Sequence, residues 1–312
     1  MTVGAFAYLL LQSREEYHII AQYNLERTGR DMEDKAKGRL MILSTALLWG
    51  LAGVCVKSIS WGTLSISAVR SAISLTMMLL VKRGVRVKLT KLNLLGGLTF
   101  CLTGTLYVAA IKLTTAGTAI VLQYVAPILV FLFEVVFRGK KPKAWEALLT
   151  LCVFFGIVLS FIDAIDMTHV IGNLLALLSG LFYAAHIILM NDSQSNADDC
   201  VVIGNMLSIL IALPFLLNDP TLTLNATNIV WVLVLGVFQY GLPNILFAKG
   251  CPLLDSIELS LLLTIEPIFN PIPVAIVCGE RMGLAAIAGA AIVIVSVTLY
   301  GLIPNLQKQK MI

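Results

Sequence analysis

Glu266 sits deep in an apolar run and is followed at once by Pro267. A carboxyl group held away from water can take up and release a proton, so Glu266 is a candidate for coupling proton movement to other work. Glu258, two helical turns earlier and roughly on the same helix face, is a second candidate. Arg70 is a third: a guanidinium in an apolar run is expected either to pair with a carboxylate or to reach an interface along its stem. Glu134 is a lesser case, because Arg138 follows at i+4 and offers a local ion pair.

A second group combines an apolar body with a polar atom: Trp49, Tyr107, Gln123, Tyr124, Tyr183, His186, Gln239, Tyr240 and Asn244. Such residues line small-molecule pockets that have apolar walls and a few oriented hydrogen bonds, although most residues of these types are simply packed. Tyr183 and His186 should share a helix face. The missing motifs bound the chemistry. HExxH, GxSxG and GxxxxGK[ST] do not occur, the three histidines are far apart, and the six cysteines form no CxxC pair. No catalytic residue, cofactor or metal site follows, and an enzyme or an ATP-driven pump is disfavoured.

The elements that must hold these groups follow from composition. Hydrophobic residues make up 58% of the 312, and charged residues only 13%, against about 25% charged in an average soluble chain. That balance suits a lipid-embedded protein. Apolar runs near 39–59, 64–81, 92–111, 115–137, 145–162, 172–190, 200–217, 228–248, 254–278 and 283–303 each approach the length of about 20 residues that crosses a bilayer as a helix. Strands are disfavoured, because a barrel shows alternating segments instead. The fold class expected is therefore an all-α membrane protein of ten transmembrane helices. Residues 1–37 read as a polar or interfacial extension, disordered or a mis-read start, since Met1–Leu11 is too short to cross.

The net charge of +4 is read by location. Lys35, Lys37 and Arg39 precede the first run; Lys82, Arg83, Arg86, Lys88 and Lys91 follow the second; Arg138, Lys140, Lys141 and Lys143 follow the fourth; Lys308 and Lys310 end the chain. Basic loops stay in the cytoplasm, so both termini are placed there, in a cell (inner or plasma) membrane. The loop 191–199 is the weakest link, with three aspartates and no basic residue on the same side. Nothing in this pattern implies nucleic acid; the partners expected are the bilayer and a small-molecule substrate.

Sliding the chain on itself by 140 lays 114–160 over 254–300, so that Pro127 meets Pro267 and Gly139 meets Gly279. Trp49 falls over Tyr183 at a different offset. Two five-helix halves, 38–163 and 172–303, would then face opposite ways because five is odd, leaving a tail at 304–312. Each proline frees the carbonyl four residues earlier, of Gln123 and of Leu263. Broken helices in corresponding places are the usual sign of a carrier's midplane site. Pro271 and Pro273 predict a distorted ninth span between Glu266 and Pro273. In the last span Ala285, Ala286, Gly289, Ala290 and Val293 form a small-residue face, either an internal contact or the seam of a homodimer.

Taken in order, Leu47-Leu48-Trp49-Gly50, Arg70, Ala109 to Ala116, Pro127, Glu266-Pro267 and Gly279-Glu280-Arg281 resemble the drug/metabolite transporter superfamily, in particular its EamA-like ten-helix permeases. The resemblance spans about 38–303. It departs at the first-half turn, which reads Arg138-Gly139-Lys140 where the family often has Gly-Glu-Arg. It implies a basket of two inverted five-helix repeats around a central cavity, lined by the first four helices of each half. It also implies export or permeation of a small metabolite such as an amino acid or derivative. A channel or a structural membrane protein is the alternative.

Overall fold

The computed structural model describes residues 32–82, 86–160, 162, 168–270 and 284–309. Every regular element among the described residues is helical. In chain order they are α1 (Met32–Ser58), α2 (Thr63–Lys82), α3 (Lys91–Leu113) and α4, which comes as Ala116–Gln123 and Ala126–Val136. Then follow α5 (Ala144–Ser160), α6 (Val170–Met190), α7 (Ala197–Leu217) and α8 (Ala226–Leu253). Next come α9, as Ser256–Leu263 and Ile265–Phe269, and α10 (Leu284–Gln309).

Seven of these helices are long and apolar enough to cross a bilayer: α1 to α4 and α6 to α8. The apolar parts of α5 and α10 are shorter, Ala144–Leu159 and Ile287–Tyr300. Helix ends differ from the sequence expectation by a few residues. The largest change is at α1, which among the described residues is helical from Met32 on and includes residues expected in the polar extension; Glu33 and Lys37 pair along the added turn at 2.8 Å. Residues 1–31 lie outside the described residues, as do Arg83, Asp163, Asp166, Pro271, Pro273, Gly279, Glu280, Arg281 and Lys310.

The outer surface is apolar. Leu80, Phe155, Leu174, Leu210 and Leu284 are all more than half exposed, which is stable against lipid tails and not against water. Polar groups point inward instead: Ser67, Arg70, Ser74, Asn205, Asn244 and Glu266 are buried. This inversion of the soluble pattern makes the chain a multi-pass membrane protein.

Side-chain bonds sort the helix ends into two faces. At one, Arg39 pairs with Glu258 at 2.6 Å, Arg138 with Asp192 at 3.1 Å, Lys140 with Asp255 at 3.3 Å, and Lys82 with Asp199. Here the loop 191–199, the weakest part of the orientation argument, finds its reason: Asp192 and Asp199 neutralise bases from two other loops of the same face. At the other face the ties are mostly uncharged. Lys112 donates to the Ile59 carbonyl at 2.6 Å, Trp61 to the Thr223 carbonyl at 2.8 Å, and Thr114 to Asn173 at 2.9 Å. Asp219 accepts from Gly62 N–H at 2.9 Å and from the Ser65 hydroxyl at the entrance to α2. Burial pushes the Asp219 carboxyl up, but the bonds from Ser65, Thr221 and Gly62 outweigh it and hold the carboxyl down at about 2.

Four helices are irregular, each for a local cause. α4 and α9 break at Tyr124–Val125 and at Thr264, just before Pro127 and Pro267, which lack the N–H that would bind Gln123 and Leu263. Their first segments match in detail. Ala116–Gln123 and Ser256–Leu263 are each eight residues, 140 apart at both ends (256 − 116, 263 − 123). Both are capped by the preceding side chain, Thr115 accepting from Thr118 N–H and Asp255 from Glu258 N–H. α8 widens into a π-helical stretch at Leu235–Gly241; Pro243 cannot bind the Gln239 carbonyl, so an i+5 pattern takes over. α1 breaks at Gly50, whose added Cβ would lie 2.8 Å from Phe269 and whose carbonyl accepts from Asn270 at 3.0 Å. Irregular backbone at membrane depth is tolerated where it is buried in protein or lines a cavity.

Candidate functional site

All four irregular stretches meet at one cavity. Trp49 comes from the α1 break, Gln123 from the α4 break, Gln239 and Tyr240 from the π stretch, and Glu266 from the α9 break. The regular parts of α2, α3 and α6 close the walls with Arg70, with Phe100, Thr103, Gly104 and Tyr107, and with Tyr183 and His186; Asn244 follows the π stretch. The cavity volume is ≈ 60 Å³, enough for more than one water.

Eight of the nine sequence-chosen polar aromatics and amides line this cavity. Tyr124, the ninth, stands behind Glu266. Its hydroxyl reaches both the Leu263 carbonyl at 2.8 Å and the Glu266 carboxyl at 2.7 Å. The carbonyl that Pro267 leaves without a helical partner thus finds one across the helix pair. A hydroxyl has one hydrogen, so both contacts are hydrogen bonds together only when Glu266 carries a proton and donates to Tyr124. Gln123 donates to Ser179 at 2.8 Å, and Ser179 donates onward to the Thr103 carbonyl at 3.0 Å. Gly180 lets α6 approach the other break: a Cβ there would lie 2.6 Å from the Gln123 carbonyl oxygen.

The aromatic walls are continuous. His186 lies nearly parallel to Phe247 with centroids 5.2 Å apart, Phe100 packs on both His186 and Tyr240, and Trp49 meets Tyr183 edge-on at 6.1 Å.

The ionisable candidates separate. Glu266 is in the cavity wall. Glu258 is not; it is bound by Arg39 at the charged face, and the expected shared face of Glu258 and Glu266 is lost because the helix breaks between them at Thr264. Arg70 follows neither expected route. It is 3% exposed, so it does not reach an interface, and among the described residues no carboxylate lies within 4.0 Å of it. Its Nη2 donates to the Gly104 carbonyl at 2.6 Å and its guanidinium lies 4.2 Å from the Tyr240 ring centroid. Glu134 takes its anticipated partner, Arg138, at 2.9 Å. Of the small-residue face of α10, Val293 and the Gly289 carbonyl lie against Gly156 of α5.

Sequence reasoning missed Phe100, Thr103 and Gly104. Two of these carry little chemistry as single residues, and Gly104 acts through its backbone. It also counted on the first four helices of each half, whereas α7 supplies no wall residue. α7 is held behind α3, where Gly97 packs against Ile203 and Gly204 against Phe100.

A multi-pass helical protein whose broken helices enclose a buried polar cavity belongs among membrane transporters. The comparisons agree: the EamA-like transporter family matches twice, over residues 36–162 and 170–302, and the chain belongs to that family. It is 25% identical over 264 residues to an uncharacterized transporter of Archaeoglobus fulgidus, covering 83% of this chain and 94% of that protein. A crystal structure 16% identical in sequence, covering 86% of this chain and 98% of its own, superposes with a TM-score of 0.73, a likeness of fold alone. The four ion pairs of the charged face each join one matched segment to the other.

Proposed function

We propose that this protein is a secondary carrier of a small metabolite, built as two inverted five-helix repeats that rock about the central cavity. Amino acids and their derivatives are the class that the family resemblance suggests. The observation that carries the reading is the meeting of four helix irregularities at one buried polar cavity, which simple packing gives no reason for. The repeat is supported by the matched first segments of α4 and α9, each capped by the side chain before it. α4 starts beside Thr114 on the less charged face and α9 beside Asp255 on the charged one, so equivalent segments enter from opposite sides. That is the relation alternating access uses.

Proton coupling has a concrete device in Tyr124. Deprotonated Glu266 draws the Tyr124 hydrogen to itself, and the Leu263 carbonyl at the α9 break is released. The protonation state of Glu266 is thereby tied to the contact between α4 and α9.

Purified full-length protein in liposomes tests the carrier reading. Saturable uptake stimulated by unlabelled solute on the far side is the expected result; ohmic current or unsaturable flux points to a channel. Glu266→Gln should flatten the pH dependence of flux, and an unchanged profile removes Glu266 from the coupling.

A further inference from the structure

Of the buried groups in the cavity, Arg70 is the one whose chemistry is left incomplete. Its Nε has no hydrogen-bond partner, and its bond to the Gly104 carbonyl and its contact with Tyr240 supply dipoles and a ring face but no negative charge. Buried guanidinium groups are normally paired with anions, because an uncompensated charge in a low-dielectric site is costly. The backbone of α3 closes on it. Gly104 has no side chain, and a Cβ there would lie 2.8 Å from Nη2 and 3.0 Å from the Tyr240 hydroxyl. The one carboxyl group among the residues lining the cavity, Glu266, is engaged by Tyr124.

The neighbouring groups define the rest of the pocket. Gln239 donates to the Trp49 carbonyl at 3.3 Å, which fixes its amide orientation, because a carbonyl accepts only from the NH2 end. Its Oε1 is then a buried acceptor without a donor. Gln239 precedes Tyr240, the ring that Arg70 covers, so the unfilled acceptor and the unpaired cation belong to consecutive residues' surroundings. Phe100, Tyr107 and Tyr183 supply apolar walls.

We propose that Arg70 is the anion-binding group of the carrier's site, and that the cargo presents a carboxylate to it while an apolar body rests on the aromatic walls. The proposal rests on the carrier reading for the word cargo, but binding at Arg70 can be measured without transport. A guanidinium offers two parallel donors to a carboxylate, a geometry neither a neutral amide nor an amine reproduces.

The test uses full-length protein in detergent. Its melting temperature is followed with leucine, phenylalanine, 4-methylpentanoate and 3-phenylpropanoate, each beside its primary amide. The expected result is that one or more acids raise the melting temperature at concentrations about 10- to 100-fold below the corresponding amide, the scale of a charge-assisted hydrogen bond. Arg70→Gln should erase the preference, and Arg70→Lys, which keeps the charge without the fork, should retain part of it. Amides equal to acids, or a panel without effect on the wild-type protein, overturns the proposal; because that comparison needs no variant, misfolding of Arg70→Gln does not blunt it. Acid-selective binding without countertransport in liposomes would instead fail the carrier reading and leave the anion site standing.

Discussion

At the scale of single residues, the interior is organised by groups that bind backbone as much as one another. Tyr124 closes the carbonyl that Pro267 frees, and Arg70 closes on the carbonyl of Gly104. Tyr124→Phe should therefore lower stability by about 1–3 kcal/mol, the cost of leaving buried acceptors unpaired, seen as a lower unfolding temperature in detergent; no change would mean that water replaces the hydroxyl. Such partners explain which parts of the site were legible. Trp49, Gln123, His186, Gln239 and Glu266 declare themselves because polar atoms in apolar runs are rare. The partner of Arg70 does not, since any residue has a carbonyl and this one is 34 positions away. The partner of Glu258 is 219 positions away, so nothing local distinguished a peripheral ion pair from a coupling carboxylate.

Among elements, the informative features are the interruptions. Pro127 and Pro267 could be read as breaks in the sequence, and the breaks lie just before them. Pro243 carries the same signal but stands without a matching proline in the first half; its consequence is the π stretch that brings Gln239 and Tyr240 into the wall. Helix approach at these breaks depends on missing side chains. Gly180→Ala would set a methyl 2.6 Å from the Gln123 carbonyl oxygen, a backbone atom that cannot swing away, and should cost about 1–3 kcal/mol as α4 and α6 move apart; a thermal-unfolding midpoint equal to wild type would show that the contact is soft. Asp219, held at about 2 by its bonds to the start of α2 and to Thr221, is ionised more readily in the folded chain than in the unfolded one. Its contribution is present above the usual carboxylate range near ~3.9 and is lost as pH falls from there through about 2. Thermal unfolding followed from pH 5 to 2.5 should show a smaller acid-induced decline in Asp219→Asn than in wild type.

For the whole molecule, the two matched segments are tied differently at the two faces: by ion pairs at one, and by bonds such as Trp61 to the Thr223 carbonyl, Thr114 to Asn173 and Gly62 N–H to Asp219 at the other. The basic residues make that charged face legible in the sequence as one side of the molecule, while the role of Asp192 and Asp199 depends on partners far away in the chain, Arg138 and Lys82. Lys82 and Asp199 form the most buried of these pairs, with Asp199 at 3% side-chain exposure and also receiving Lys88 N–H at 3.2 Å. Removing one partner of such a pair leaves a charge without compensation, so Asp199→Asn should destabilise the closed charged face by about 3–5 kcal/mol, less where water enters to solvate Lys82. If the segments rock, that loss is expressed as opening and not only as unfolding. Single cysteines placed at Thr103 and Tyr107 in an otherwise thiol-free protein should then react faster with a membrane-impermeant maleimide from the charged side when Asp199→Asn is added, and more slowly from the other. Equal labelling from both sides with and without the substitution would mean that the ion pairs only hold the fold together and that the cavity opens by some motion they do not oppose.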